Sequence, residues 1–415
     1  MIQDLRARES TQWTPASWRE FPAAQQPDWP DEDHVRRVGA ELAALPPLVT
    51  APEVYALRRA LCRVAHAGGF VVQAGDCAET FAAPDFVGTA AKVRLLHDAA
   101  KRLHDELKVP VVPIGRIAGQ YGKPRSSPTE RVGDQVLPSF RGEIVNGREP
   151  TAAARTPDPA RMRLAYQHSA EVFGILRELA AAGLALSGRW GSETPAVWTS
   201  HEALVLDYEE PMVRFDEETG AWLLTSTHLP WIGARTCEPD GAHVRFLAGV
   251  ANPVGLKVGP GCTPGRLEEL CARLDPDRQP GRLVLIARMG AGVVGERLPE
   301  LVRAVAASGH PVVWMSDPMH GNTRAAGPLK TRRIGDVLAE LAGFTAAVRG
   351  AGGWPGGLHL EATPEDVTEC VGGRDPVVEA DLPLRYRTAC DPRLNGDQAD
   401  EVVAAMAALC ARRRP

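Results

Sequence analysis

The chain is poor in the signatures that mark several common protein classes. Its eight cysteines, at positions 62, 77, 237, 262, 271, 370, 390 and 410, include no Cys-x-x-Cys pair. Zinc ribbons and small disulfide scaffolds need such close spacings, so most of the thiols are expected to be buried and reduced. No apolar run approaches the roughly 20 residues that a bilayer span requires. Basic residues are not in excess, and the net charge of -5 speaks against a nucleic-acid surface. No P-loop is present, which removes one common nucleotide cradle. The opening Met1-Ile2-Gln3-Asp4-Leu5-Arg6 has no apolar h-region. The expectation is a cytoplasmic protein with no membrane and no nucleic-acid partner. No internal repeat is found.

What is present is an alternation. The apolar content of 44% and charged content of 24% are ordinary for a globular chain. Short apolar runs at Gly69–Gly75, Val109–Ile114, Leu184–Gly188, Ser226–Ile232, Val254–Val258, Leu283–Ala287, Pro311–Met315 and Gly357–Leu360 read as strands. Helical spacing follows at Thr89–Leu107, Met162–Ala182, Thr263–Leu274, Leu298–Ser308 and Thr331–Arg349. Eight apolar strands separated by helices predict an α/β protein, a (β/α)8 TIM barrel. The first 67 residues read as a Pro- and Trp-rich arm with helices over Asp33–Leu45 and Ala51–Ala67, the first capped by Asp31. Residues 68–415 form the expected catalytic barrel. The stretch Pro124–Pro157 has no periodicity and is expected to be a long loop over the barrel mouth. Met212–Leu224 reads as an antiparallel hairpin.

In such barrels chemistry collects where strands end. The strand at Pro311–Met315 breaks into Ser316-Asp317-Pro318-Met319-His320-Gly321-Asn322, and the first strand breaks into Asp76-Cys77-Ala78-Glu79. Gly357–Leu360 ends in Glu361, and Asp391 sits in a turn near the C-terminus. One thiolate, one imidazole and two carboxylates suit a divalent transition ion better than magnesium or calcium. Singly, such a cysteine packs and such a histidine makes a structural hydrogen bond; their coincidence at strand ends makes Cys77, His320, Glu361 and Asp391 candidate metal ligands. His359 shares a strand face with Glu361 and is expected to support the ligands. Strand ends and loops also carry Arg116, Lys123, Arg125, Arg235, Lys257 and Arg288. Lys257 lies inside an apolar strand, where it needs a partner. The alternatives are rim salt bridges or a polyanionic substrate with phosphate or carboxylate groups, which arginine forks match. Gly119 to Ser127 holds Lys123, Arg125, Ser126 and Ser127, a candidate phosphate clamp.

Several longer motifs carry a resemblance. Gly75-Asp76-Cys77-Ala78-Glu79-Thr80-Phe81, Arg116-Ile117-Ala118-Gly119-Gln120-Tyr121, Ser200-His201-Glu202-Ala203-Leu204, Asp240-Gly241-Ala242-His243, Asp317-Pro318-Met319-His320-Gly321-Asn322-Thr323 and Thr388-Ala389-Cys390-Asp391-Pro392-Arg393-Leu394-Asn395 resemble class II (plant-type) 3-deoxy-D-arabino-heptulosonate 7-phosphate (DAHP) synthase. The likeness runs from about Pro22 to the C-terminus. It implies a metal-dependent barrel, with Mn2+ or Co2+ as cofactor, that condenses phosphoenolpyruvate with erythrose 4-phosphate at the entry to the shikimate pathway. It also implies a homo-oligomer, a dimer. By resemblance Cys77, His320, Glu361 and Asp391 are the metal ligands. Arg116, Ala234, Arg235, Lys257 and Arg288 take phosphoenolpyruvate. Lys123, Arg125 and Ser126 hold the aldose phosphate, and Glu202 is a further substrate-binding residue. Arg116, Lys257 and His320 are the catalytic candidates.

Two departures stand out. The family usually has Glu-Arg where this chain has Ala234-Arg235, which bears on turnover or substrate choice. The stretch Gly183–Thr199 is short where longer members insert a helical pair that helps bind feedback amino acids. The short form resembles copies serving secondary metabolism, so an aminoDAHP synthase acting on an imino analogue of the aldose is the alternative activity. A catalytically silent regulatory paralogue is the alternative of a different class.

Overall fold

The computed structural model describes residues 13–184 and 194–411. Eight parallel strands close a barrel: β1 Phe70–Gly75, β2 Val111–Arg116, β3 Trp198–Glu202, β4 Leu229–Ile232, β5 Val254–Val258, β6 Leu283–Ala287, β7 Val313–Ser316 and β8 Pro355–Glu361. Neighbours in the barrel are neighbours in sequence, and β8 closes on β1 with Gly75 opposite Glu361. The long helices are α1 Glu32–Ala44, α2 Ala51–Ala65, α3 Phe86–Leu107, α4 Ala160–Leu179, α5 Ala242–Ala248, α6 Pro264–Leu274, α7 Val294–Ser308, α8 Ile334–Gly350 and α9 Gly396–Ala411. All but the first two follow barrel strands. The β3–β4 connection differs: a single turn at Leu206–Glu209 and a hairpin, Val213–Asp216 with Ala221–Leu224, replace the helix.

Two of the eight predicted strands, Val254–Val258 and Leu283–Ala287, coincide with the observed ones residue for residue. The third does not. Leu184 ends a helical turn after α4, residues 185–188 lie outside the described residues, and the third strand is Trp198–Glu202. Its sequence, Trp-Thr-Ser-His-Glu, has no apolar run, and Thr199 and Ser200 are satisfied inside the protein instead. Thr199 donates its amide to Nδ1 of His228 at 2.9 Å, and Ser200 donates to the Gly115 carbonyl at 2.9 Å.

The barrel interior has two halves. The lower half is apolar: Val71, Val112, Ile114, Trp198, Leu229, Val284, Ile286, Val313 and Met315 pack together with Leu57, Ala60, Leu61 and Val64 of α2. Thus α2 plugs the barrel floor. Its start is set by a capping box in which Thr50 and Glu53 satisfy each other's end of the helix. The upper half is polar and hydrogen-bonded, as expected for buried polar groups: Gln73 meets Ser200 at 2.8 Å and Nδ1 of His359 at 2.7 Å. The arm before α1 is tied down by its indoles. Trp18 and Trp29 donate to Glu210 and Asp207, and Trp13 donates to the Arg245 carbonyl.

The Pro124–Pro157 segment is not structureless. It carries a hairpin, Thr129–Val132 with Gln135–Pro138, and a helical turn at Ala152–Arg155. Glu130 holds both Arg125 and Arg155, and Asn146 bonds the Ser139 and Arg155 carbonyls. These are tertiary contacts, which leave no periodic trace in sequence.

Candidate active site

The strand ends converge on a cavity of about 400 Å³ at the barrel mouth. Its walls include Cys77, Arg116, Lys123, Arg125, Ser126, Glu202, Ala234, Arg235, Lys257, Arg288, His320 and Asp391. The residues singled out in the sequence as site candidates therefore border it except Glu361 and the supporting His359, both fully buried, with Glu361 beside His320.

The candidate ligands form one cluster. Donor atoms of Cys77, Glu361 and Asp391 all lie within 4.8 Å of one another. Nε2 of His320 is 3.0 Å from a Glu361 oxygen, so the imidazole adjoins the same cluster through that carboxylate. Lys123 reaches in from the mouth loop, with its amine 2.7 Å from the Cys77 sulfur and in contact with Asp391. Lys330, from a hairpin after β7, holds the other Asp391 oxygen at 2.8 Å. Arg332 and Arg116 flank Glu361 at 2.7 and 3.2 Å. Burial opposes ionisation of both carboxyls, yet the cations overcome it and hold Glu361 and Asp391 below the usual carboxylate range. Burial instead pushes the Cys77 thiol well up, helped by Cys390 and by the charge on Glu361. A thiol, an imidazole and two carboxylates drawn together against positive neighbours fit a divalent transition ion. Binding one requires release of the Cys77 proton.

The anion half is built by β2, β4, β5 and β6. Arg116 ends β2 and is tied on several sides: to the Asp76 and Cys77 carbonyls, to Glu361, and to Nε2 of His359 at 2.7 Å. Burial keeps His359 well below its ordinary pKa, so its neutral ring accepts from Arg116 through Nε2 and donates from Nδ1 to Gln73. Lys257 is paired, as its position demanded, with the fully buried Asp317. Burial lowers its amine to about 8. Arg288 bonds the His320 carbonyl at 2.9 Å, and Arg235 reaches Ser126 at 2.7 Å. Burial raises the Glu202 carboxyl, one oxygen of which lies against Gly233 with no hydrogen-bond partner.

One loop conformation holds the mouth together. Glu79 accepts from three successive amides, Ala118, Gly119 and Gln120, at 2.9 to 3.0 Å. That clamp stabilises Ala118 at a φ of +63°, a conformation costly for a residue with a Cβ. At Gly119 a Cβ would meet the His201 ring at 2.2 Å, so only glycine fits beside that imidazole. The motifs around Glu79, Gly119 and His201 are thus parts of one contact.

Trp231, Asp317, Lys330 and Arg332 belong to the site but were not among the residues singled out for it. Asp317 had a signal, since it stands three residues before His320 in a polar turn. Trp231 reads as a core aromatic, and the two cations lie on a hairpin and a following segment whose fold onto the mouth has no local signature.

Fold and mouth together define a (β/α)8-barrel protein with a cation-lined pocket beside a potential metal centre at the carboxyl ends of its strands. The particular family follows from comparison: the class-II DAHP synthetase family matches residues 13–194 and 187–407, and the chain belongs to it. A phospho-2-dehydro-3-deoxyheptonate aldolase of Streptomyces coelicolor is 43% identical over 423 aligned positions, covering 92% of this chain and 94% of that one. A probable phospho-2-dehydro-3-deoxyheptonate aldolase of Pseudomonas fluorescens is 46% identical over 388 positions, with the same coverages. The aldolase AroG of Mycolicibacterium smegmatis is 40% identical, covering 92% and 91%. Among solved structures, a phospho-2-dehydro-3-deoxyheptonate aldolase from Francisella tularensis superposes with a TM-score of 0.53 over 90% of this chain and 98% of that one. At 13% identity that likeness concerns the fold. No helix among the described residues is long and apolar enough to cross a membrane.

Proposed function

We propose that this protein is a DAHP synthase. It condenses phosphoenolpyruvate with erythrose 4-phosphate and water to give DAHP and phosphate, the first step of the shikimate pathway. The observation that carries the reading is the single cavity in which Arg116, Arg235, Lys257 and Arg288 face the Cys77–His320–Glu361–Asp391 cluster. An anion and an electrophile held there would be in contact.

Arg116, Lys257 and Arg288 orient the phosphoenolpyruvate phosphate and carboxylate, and the Ala234 amide and Arg235 close over it. Lys123, Arg125 and Ser126 on the mouth loop take the aldose phosphate, and Glu202 faces them across the cavity. Cys77, His320, Glu361 and Asp391 would hold a divalent ion, Mn2+ or Co2+ suiting the donor set, which would supply Lewis acidity for the aldehyde. C3 of phosphoenolpyruvate forms the new bond to the aldehyde carbon, water adds at C2, and the C2–O bond to phosphate breaks. Lys257, with an ammonium proton more readily lost than usual, is the group we assign to proton movement, and His320, with Nδ1 on Asp317 and Nε2 turned to the ligand cluster, serves as a ligand.

The test is DAHP formation by the purified protein after chelation and after Mn2+ is added back. Activity that needs the metal and is lost in both Cys77→Ser and His320→Ala supports the reading. Full activity of either variant would remove the metal assignment, and no product with any divalent ion would remove the synthase assignment.

A second reading draws on two features. The family match breaks at residues 187–194, and the alignments to two relatives exceed this chain's own length while the Pseudomonas one does not. Together with Ala234 in the cavity wall, the short form favours a copy serving secondary metabolism, with an imino aldose phosphate as the competing substrate. Paired assays with the two aldose phosphates decide between them.

A further inference from the structure

Trp231 stands in the cavity wall at the end of β4, 3% exposed. Its ring has three partners, all in the anion half of the site. The Arg116 guanidinium carbon lies 5.3 Å from the ring centroid and the Lys257 amine 5.8 Å. His359, the acceptor for Arg116, meets the indole edge-on, with centroids 5.6 Å apart at 88°. The barrel makes room for this ring. Gly255 is opposite Trp231 in the β4–β5 register, and a Cβ there would come within 2.7 Å of the Trp231 Cβ.

Two cations so close repel each other, and both are desolvated. An aromatic face attracts each of them, the more so where water is excluded. The hydrogen bonds already made by the two cations leave few donors for a ligand. Arg116 uses four of its five N–H groups on Asp76, Cys77, Glu361 and His359. Lys257 uses one of three, on Asp317. The unspent donors of both residues therefore belong to side chains that share one indole. Lys257 is the less restrained, since Asp317 is the one hydrogen-bond partner of its amine among the described residues.

We propose that Trp231 is a positioning residue: its indole holds Arg116 and Lys257 as a matched pair of donors for one dianionic group of the substrate. The inference rests on the phosphoenolpyruvate reading for the identity of that group. Lys123, Arg125 and Ser126 on the mouth loop do not touch the ring, so binding of the second, aldose phosphate is independent of it.

The experiment is calorimetric binding of phosphoenolpyruvate, of inorganic phosphate and of erythrose 4-phosphate to the wild-type protein, Trp231→Phe and Trp231→Leu. Each variant is first checked for an unchanged circular dichroism spectrum. Trp231→Leu should weaken phosphoenolpyruvate binding about tenfold and raise its KM more than it lowers kcat. Trp231→Phe, which keeps an aromatic face, should recover most of that loss, and erythrose 4-phosphate affinity should stay within twofold. Unchanged phosphoenolpyruvate affinity in Trp231→Leu, equal losses in both variants, or parallel loss of erythrose 4-phosphate binding would overturn the proposal. Wild-type protein that binds phosphate but not phosphoenolpyruvate would sink the substrate reading and leave the role of Trp231 to be judged on phosphate. Binding of neither would sink both.

Discussion

The carboxylate of Asp317 stands 2.8 Å from Nδ1 of His320. Nδ1 can donate to that carboxylate, while Nε2 faces Glu361 and the ligand cluster at 3.0 Å. The same carboxylate pairs with Lys257, so one buried acid orients a candidate ligand and a candidate substrate contact. Burial resists its charge, but His320 and Lys257 hold Asp317 well below the usual carboxylate range. Carboxylates behind metal-bound histidines typically contribute 10- to 100-fold to metal affinity. Asp317→Asn should therefore weaken Mn2+ binding by about that factor, as measured by titration calorimetry, and should raise KM for phosphoenolpyruvate through Lys257. Wild-type metal affinity in the variant would mean that packing alone orients His320.

A second expectation concerns oxidation. Cys390 adjoins Asp391, and its thiol and that of Cys77 each shift the other's pKa, so the two sulfurs are neighbours. A metal-bound thiolate is protected, whereas a free thiol beside another can oxidise. Metal-stripped protein kept in air should lose the activity that added Mn2+ restores, through a Cys77–Cys390 disulfide, and dithiol with metal should recover it. Peptide mapping by mass spectrometry reads the outcome directly. Inactivation with both thiols still free would exclude this route.

Stability should fall in mild acid because of His243. Burial lowers its pKa to about 4, against the favourable bond to the Leu204 carbonyl at 3.0 Å. An unfolded histidine titrates near 6.5. Between those values the unfolded chain binds one more proton than the folded one, so stability rises with pH across this window. The contribution is fully present near pH 7 and about 2 kcal/mol of it is gone by pH 5. Urea unfolding at the two pH values should show this difference in the wild type and a reduced one in His243→Asn. Equal pH slopes in the two proteins would assign the acid sensitivity elsewhere.

Feedback control should be weak. The stretch Gly183–Thr199 is short, part of it (185–193) lies outside the described residues, and the family match breaks inside it. We expect little or no inhibition by Trp, Phe or Tyr, alone or combined. Strong synergistic inhibition at low concentration would show that the regulatory sites are built from other elements.

The sequence by itself determined the barrel and most of its mouth. Apolar runs covered on both faces, such as Val254–Val258 and Leu283–Ala287, announce parallel strands, and a reactive side chain directly after such a run can only sit at the rim. That logic reached Cys77, His320 and Glu361, and it marked Lys257 as a buried cation that had to be paired. Only the tertiary structure decided the rest. Trp198–Glu202 hides as a strand because Thr199 and Ser200 find partners on β2 and just before β4, which hydropathy does not register. Asp317 as the partner of Lys257, Lys330 on Asp391, and the indole of Trp231 under Arg116 and Lys257 are contacts between residues distant in sequence. Their energies depend on burial and on which charges the closed barrel brings together, and neither exists until the chain has folded.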